Sequence, residues 1–193
     1  MNDRTFDPRS SHKLEDPDRL KWLPREEVMA SIGLVPGLVV ADVGAGTGFF
    51  AIPFARVIGN RGKVYAVDFQ DEMLKKLNDK LSLPEAPTNI VALKGEALNT
   101  TLAKESCDVV FMANIWHELD DHPGVLREAK RLLRPGGRLA ILDWRADLPS
   151  PPGPPASHRI SQAEVIDTLV KQGWFTWHSG HVGTYSYLIL ASR

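Results

Sequence analysis

Leu38-Val39-Val40-Ala41-Asp42-Val43-Gly44-Ala45-Gly46-Thr47-Gly48-Phe49-Phe50 is the stretch around which the chain is organised. Leu38 to Val43 is a short apolar, β-branched run, as expected of a strand covered on both faces of a parallel sheet. The glycines that follow permit positive φ and leave no Cβ between the backbone and whatever lies against it. A helix is expected from about Thr47 to Ile58, and its first amide N–H groups remain free to donate. Its dipole favours a carboxylate or phosphate at that end. Strand, glycine turn and helix together read as a small-molecule cradle; the alternative is a tight strand-to-helix turn.

Gly44, Gly46 and Gly48 are spaced G-x-G-x-G, one residue tighter at the third glycine than the dinucleotide fingerprint G-x-G-x-x-G. Asp42 stands two places before the first glycine. The wider pattern V-x-A-D-V-G-A-G-T-G-F resembles motif I of the class I S-adenosylmethionine (SAM) dependent methyltransferases. That resemblance implies SAM as cofactor and S-adenosylhomocysteine as product. It lays the loop backbone against the methionine part of SAM and makes Asp42, Gly44, Ala45, Gly46 and Gly48 cofactor-binding residues.

Upstream, Met1 to about Ser11 is polar and without period, which suits a flexible segment or a lid that orders on ligand. Leu14, Leu20, Trp22 and Leu23 indicate a segment packed onto the domain. Pro24 opens a helix expected over Arg25 to Ile32, with Gly33 as its left-handed cap. Downstream, Pro53 should bend the next helix or delay its regular start. Strands are expected at Lys63 to Asp68, Asn89 to Lys94, Asp108 to Met112 and Gly137 to Asp143. Between them, Asp71 can cap a helix through Leu77. A second helix presents Val125, Leu126, Ala129, Leu132 and Leu133 on one face and stops at Arg134-Pro135-Gly136-Gly137.

The alternation breaks near the end of the chain. Ile160 to Gln172 reads as a helix capped by Ser161 with Glu164 in capping-box position. Two strands, Trp174 to His178 and Tyr185 to Ala191, should pair antiparallel across a glycine-containing turn. The fold class is therefore α/β, a doubly wound, mostly parallel, seven-stranded Rossmann-like sheet with a C-terminal antiparallel hairpin and an N-terminal helical segment. Residues 1–193 form one domain in this reading, with 1–33 as helical segment or lid and 145–159 as a proline-rich loop beside the pocket.

Chemistry belongs at the carboxyl ends of the strands. Asp68 stands where a carboxylate reaches a ribose diol, two acceptor oxygens facing two hydroxyls. By resemblance, Phe69 contacts the ribose or adenine, Glu96 and Ala97 border the adenine, and Asn114 meets the methionine end. Trp116 and His117 then face the substrate. Histidine accepts a proton near neutral pH, so His117 is the candidate base, the alternative being a histidine bonded to a loop carbonyl. Glu118 reads as a helix-start or surface residue rather than a base. Asp143 and Trp144 end the fifth strand and can line the same pocket, or Trp144 can be core. His158 and Arg159 close the proline-rich loop and can hold a polar or anionic substrate group; otherwise the loop is a stiff linker. No metal site is expected, since His178-x-x-His181 falls near a predicted turn without a carboxylate between.

A formal net charge of −1 offers no broad attraction for nucleic acid or an anionic membrane, and no apolar run is long enough to span a bilayer. The single Cys107 excludes an intrachain disulfide, and the cytoplasm is the expected compartment. Within class I enzymes the pattern looks closest to the small stand-alone ubiquinone/menaquinone-biosynthesis and arsenite-methyltransferase-like group. Arsenite chemistry needs several cysteines, and this chain has one. The resemblance implies methyl transfer to a small-molecule acceptor by in-line displacement, with a second copy of the chain as possible assembly partner. Protein or RNA methylation and non-catalytic SAM binding are the alternatives.

Overall fold

In the computed structural model, which describes residues 5–150 and 152–193, the strands are β1 (Val39–Val43), β2 (Lys63–Asp68), β3 (Ile90–Lys94), β4 (Cys107–Ala113), β5 (Leu133–Trp144), β6 (Phe175–Val182) and β7 (Ser186–Ser192). They form one seven-stranded sheet in the order β3-β2-β1-β4-β5-β7-β6. Pairing is parallel from β3 through β5, and antiparallel for β5 with β7 and β7 with β6. The expected fold class is the observed one.

The helices are α1 (Arg19–Trp22), α2 (Arg25–Ile32), α3 (Ala51–Ile58), α4 (Asp71–Leu81), α5 (His122–Leu132) and α6 (Gln162–Lys171). Successive side chains of a strand point to opposite faces. One face therefore buries Val40, Val64, Ala66, Phe111 and Leu188 with α2 and α3, and the other buries Val43, Val110, Met112 and Ile189 with α5 and α6. Among the described residues no helix is long and apolar enough to cross a membrane.

Several boundaries move. The helix after the glycine turn starts at Ala51 rather than Thr47, which leaves Pro53 in its first turn where no amide donor is lost. Gln70, not Asp71, is the N-cap of α4. Leu133 leaves the helical face and pairs with Cys107 on β4, and a register shift absorbs the glycines before Arg138 pairs with Val109. β6 runs on through Gly180 to Val182, so the hairpin turn is residues 183–185. Gly183 lies at φ 56° against the Trp22 carbonyl, where a Cβ has no room. The capping box of Ser161 and Glu164 is present as expected.

The expectation for Met1–Ser11 lies partly outside the described residues, which begin at Thr5. From there the chain is shaped rather than featureless: Pro8–Leu14 forms a 3-10 helix capped by Asp7, and Ser11 is buried.

Candidate active site

β1 lies between β2 and β4, and here the strand order reverses and opens a crevice above the carboxyl ends. The turn after β1 curls because Gly44 N–H and Ala45 N–H both donate to the Val67 carbonyl, at 2.8 and 3.0 Å. Gly44 and Gly46 take φ of 76° and 55°, which favours glycine. The turn floors a cavity of about 860 Å³, in the usual range of small-molecule sites. Asp42, Gly44, Ala45, Gly46, Asp68, Phe69, Glu96, Ala97, Asn114, His117 and Trp144 line it. Gly48 does not; its missing Cβ would meet Leu77 Cδ1 at 2.6 Å, so its role is packing α4 against the turn.

The cavity floor is polar and under-satisfied. Asp68 accepts from Gly46 N–H at 2.8 Å and Gln70 N–H at 2.9 Å, and burial raises its pKa despite those bonds. Asp42 is fully buried; burial, with the Asp68 charge behind it, pushes its pKa up to about 7. Its Oδ2 has no hydrogen-bond partner among the described residues, and neither has Nδ2 or Oδ1 of Asn114. Asn114 holds a left-handed φ of 57°, fixed by its N–H donating to the Leu142 carbonyl at 2.8 Å. Burying an amide and a carboxylate oxygen without partners is costly, so such groups point to a polar ligand.

Across the cavity stands a histidine–aspartate pair. His117 Nδ1 lies 2.8 Å from Asp143 Oδ1, and the His117 backbone N–H donates to Asp143 Oδ2 at 3.0 Å. Burial disfavours the imidazolium, but the Asp143 bond and charge, aided by Glu118, outweigh it and raise the His117 pKa. With Nδ1 as donor to Asp143, Nε2 is the acceptor nitrogen of the neutral ring, 3.9 Å from a Glu118 carboxylate oxygen. Asp143 is itself 1 % exposed and lies behind His117 rather than on the cavity wall.

Trp116, expected to face the substrate, does not line the cavity. Its ring is buried and stacks on His122 with centroids 4.3 Å apart, and it packs into the core under α5. His158 is also off the cavity. Arg159, expected as an anion fork, is consumed internally: its guanidinium donates to the carbonyls of Pro154, Arg145, Leu148 and Pro152 and so clamps the proline-rich loop. That clamp presses Pro152–Pro154 toward Trp144, which packs on Trp22 at 5.2 Å and forms an aromatic wall of the cavity.

The segment read from sequence as a helical segment or lid over 1–33 supplies the roof, although none of its residues was named there as a site residue. Thr5, Phe6, Lys13, Leu14, Asp16, Arg19 and Trp22 close over the cavity. Glu15 bonds Thr47 of the glycine turn and takes Lys80 Nζ at 2.6 Å, Lys76 bonds Ser11, and Gln70 Nε2 donates to the Phe6 carbonyl at 2.9 Å. Buried Arg19 lies over the Phe49 ring at 3.9 Å, and burial lowers its pKa to about 10. Leu14 and Trp22, which the sequence places in a segment packed onto the domain, are its apolar contacts with the cavity. Glu118 is likewise no surface residue: it lines the cavity, and burial pushes its pKa up to about 7.

The family described as the methyltransferase domain matches residues 41–141, more than half of the chain. A SAM-dependent methyltransferase from Aquifex aeolicus has 35% sequence identity and a TM-score of 0.91, over 97% of this chain and 98% of that one. A demethylmenaquinone methyltransferase from Lactococcus lactis subsp. lactis is 34% identical over 119 residues, 62% of this chain and 47% of that protein. The chain thus spans about half the length of the curated relatives it matches. An arsenic(III) SAM methyltransferase from Chlamydomonas reinhardtii shares the fold at TM-score 0.61 and 24% identity, over 82% of this chain and 64% of that one. Motif, strand order, cavity and these likenesses agree: the chain belongs to the class I SAM-dependent methyltransferases.

Proposed function

We propose that this chain methylates a small, flat, largely apolar molecule that gives up a proton during the reaction. The observation that carries the reading is that one cavity joins the under-satisfied floor of Asp42 and Asn114 to the His117–Asp143 pair and the Trp22–Trp144 wall. The floor fits the cofactor. Asn114 and Asp42 offer polar atoms to its amino-acid end, Asp68 a carboxylate to its hydroxyls, and Phe69, Glu96 and Ala97 a border to its base. When bound, SAM supplies a methyl group on a positively charged sulfur, which needs little further activation. The protein's part is alignment, exclusion of water and acceptance of a proton. His117 Nε2 takes that proton, and Asp143 steadies the resulting imidazolium. Aromatic walls and a near-neutral chain favour a neutral ring system, and the demethylmenaquinone enzymes of similar sequence suggest a reduced quinone headgroup. The buried free thiol of Cys107 suits the reducing cytoplasm.

Calorimetric titration with SAM and S-adenosylhomocysteine tests the cofactor, and transfer of labelled methyl to reduced naphthoquinones and other hydroxylated rings tests the acceptor. Binding of both nucleosides with turnover of a hydroxylated ring is the expected result. Failure of both nucleosides to bind, or salt-sensitive RNA binding with methylation of RNA alone, would overturn the reading.

A further inference from the structure

Arg19 borders the cavity as a buried cation, 7 % exposed, and none of the roles assigned above uses it. Its guanidinium carbon lies 3.9 Å from the centre of the Phe49 ring. Among the described residues the guanidinium has one acceptor, the Leu14 carbonyl, which Nη1 reaches at 3.3 Å. Glu15, whose charge favours it, is itself bonded to Thr47 and Lys80. A guanidinium is a rigid fork of N–H donors, so most of this fork is unspent where it meets the cavity.

The rest of the cavity is poorly equipped for an anion. Asp16, Asp42, Asp68, Glu96 and Glu118 line it, against the exposed Lys13 and the buried Arg19. The glycine turn has spent its amides: Gly44 and Ala45 donate to the Val67 carbonyl, Gly46 to Asp68 and Gly48 to the Ala45 carbonyl. SAM carries a carboxylate beside an ammonium and a sulfonium. Acidic side chains suit its cations and its ribose hydroxyls, and its carboxylate calls for a cation with donors to spare.

We propose that Arg19 holds the cofactor's carboxylate and that, through the single turn α1, this pairing seats Trp22 against Trp144, so that cofactor binding fixes the wall on which the acceptor lies. Arg19 and Trp22 begin and end α1, and residues three apart share one face of a helix. Both border the cavity, and the Trp22 ring packs on that of Trp144 at 5.2 Å. Burial lowers the Arg19 pKa only to about 10, so the group is charged at neutral pH. A buried charge without a counter-ion works against keeping α1 down on the cavity, and a carboxylate beside it removes that cost. This coupling takes from the methyl-transfer reading only that the Trp22–Trp144 wall faces the acceptor.

Calorimetry on the full chain tests this with S-adenosylhomocysteine and its decarboxylated analogue S-adenosyl-3-thiopropylamine, which keeps the ammonium, sulfur, ribose and base. The parent should bind S-adenosylhomocysteine about 30-fold or more tightly than the analogue, a comparison that needs no variant. Arg19→Gln should cut that preference to about threefold or less, Arg19→Lys should keep part of it, and Lys13→Gln should keep all of it. With 5-fluorotryptophan incorporated, the fluorine resonance of Trp22, assigned with Trp22→Phe, should sharpen with saturating S-adenosylhomocysteine. Saturating analogue should not sharpen it, nor should S-adenosylhomocysteine in Arg19→Gln. Equal affinity of the parent for both ligands, a preference that survives Arg19→Gln, or a Trp22 resonance that responds alike to both would overturn the proposal alone. No binding of S-adenosylhomocysteine to the parent would overturn it together with the methyl-transfer reading, whereas methylation of RNA alone would defeat that reading and leave the Arg19 pairing standing.

Discussion

Asp143 grips His117 twice, accepting the backbone N–H at 3.0 Å through one oxygen and facing Nδ1 at 2.8 Å through the other. It also accepts the Trp144 N–H at 2.7 Å, so three hydrogen bonds fix the carboxylate in place. A ring held in this way has one tautomer and one orientation, with Nε2 turned to the cavity.

The rate of methyl transfer should therefore depend on a single deprotonation. The His117 pKa is raised above 6.5, so kcat should fall as pH drops through a value above 6.5 and level off at higher pH. His117→Ala should lower kcat about 100-fold and leave the SAM dissociation constant within about twofold. Asp143→Asn should shift the kinetic pKa downward. The sign for stability is opposite: the raised folded-state value makes the pair stabilising below 6.5 and lost as pH rises through the folded value.

Asp42 should weaken the unliganded protein at alkaline pH. Burial raises its pKa from 3.8 to about 7, so the folded state prefers the protonated acid. The cost of its charge is absent below 3.8, grows as pH rises, and is complete above about 7. Asp42→Asn should stabilise the unliganded protein at pH 8 by on the order of 2 kcal/mol, and by much less at pH 5, as read from urea denaturation. The same variant should bind SAM more weakly, because a partner for the cofactor is lost.

Gly48 and Gly46 should separate under alanine substitution. At Gly48, φ is +86° and a Cβ would press on Leu77, so Gly48→Ala should cost about 2–4 kcal/mol in denaturation. At Gly46, the nearest atom to a Cβ is Leu14 Cδ1 at 3.6 Å and the site opens to the cavity. Gly46→Ala should cost about 1–2 kcal/mol for its left-handed backbone and weaken SAM binding about tenfold or more.

Arg159 should be a structural rather than a substrate-binding residue. Arg159→Met leaves the carbonyls of Pro154, Arg145, Leu148 and Pro152 without their donor and should cost about 1–3 kcal/mol. Increased proteolysis within 145–158 should accompany it. A large rise in acceptor KM with unchanged stability would contradict this assignment.

The strands, their alternation with helices and most of the residues on the cavity floor were legible in the order of amino acids alone. Each rests on short-range pattern: the apolar run ending at Val43, the glycines after Asp42, the capping box at Ser161 and the carboxylate at the end of β2. Local backbone preference and periodicity act within a few residues, so they are legible in one dimension. Which way side chains at the cavity turn was set by long-range contacts. Trp116 and His117 are adjacent, yet one ring stacks on His122 and the other meets Asp143, 26 residues away. Arg159 fell to the loop carbonyls rather than to a ligand, and Glu118 turned into the cavity rather than to the surface. Those choices depend on partners brought together by chain crossings, and neither spacing nor composition encodes which partner arrives.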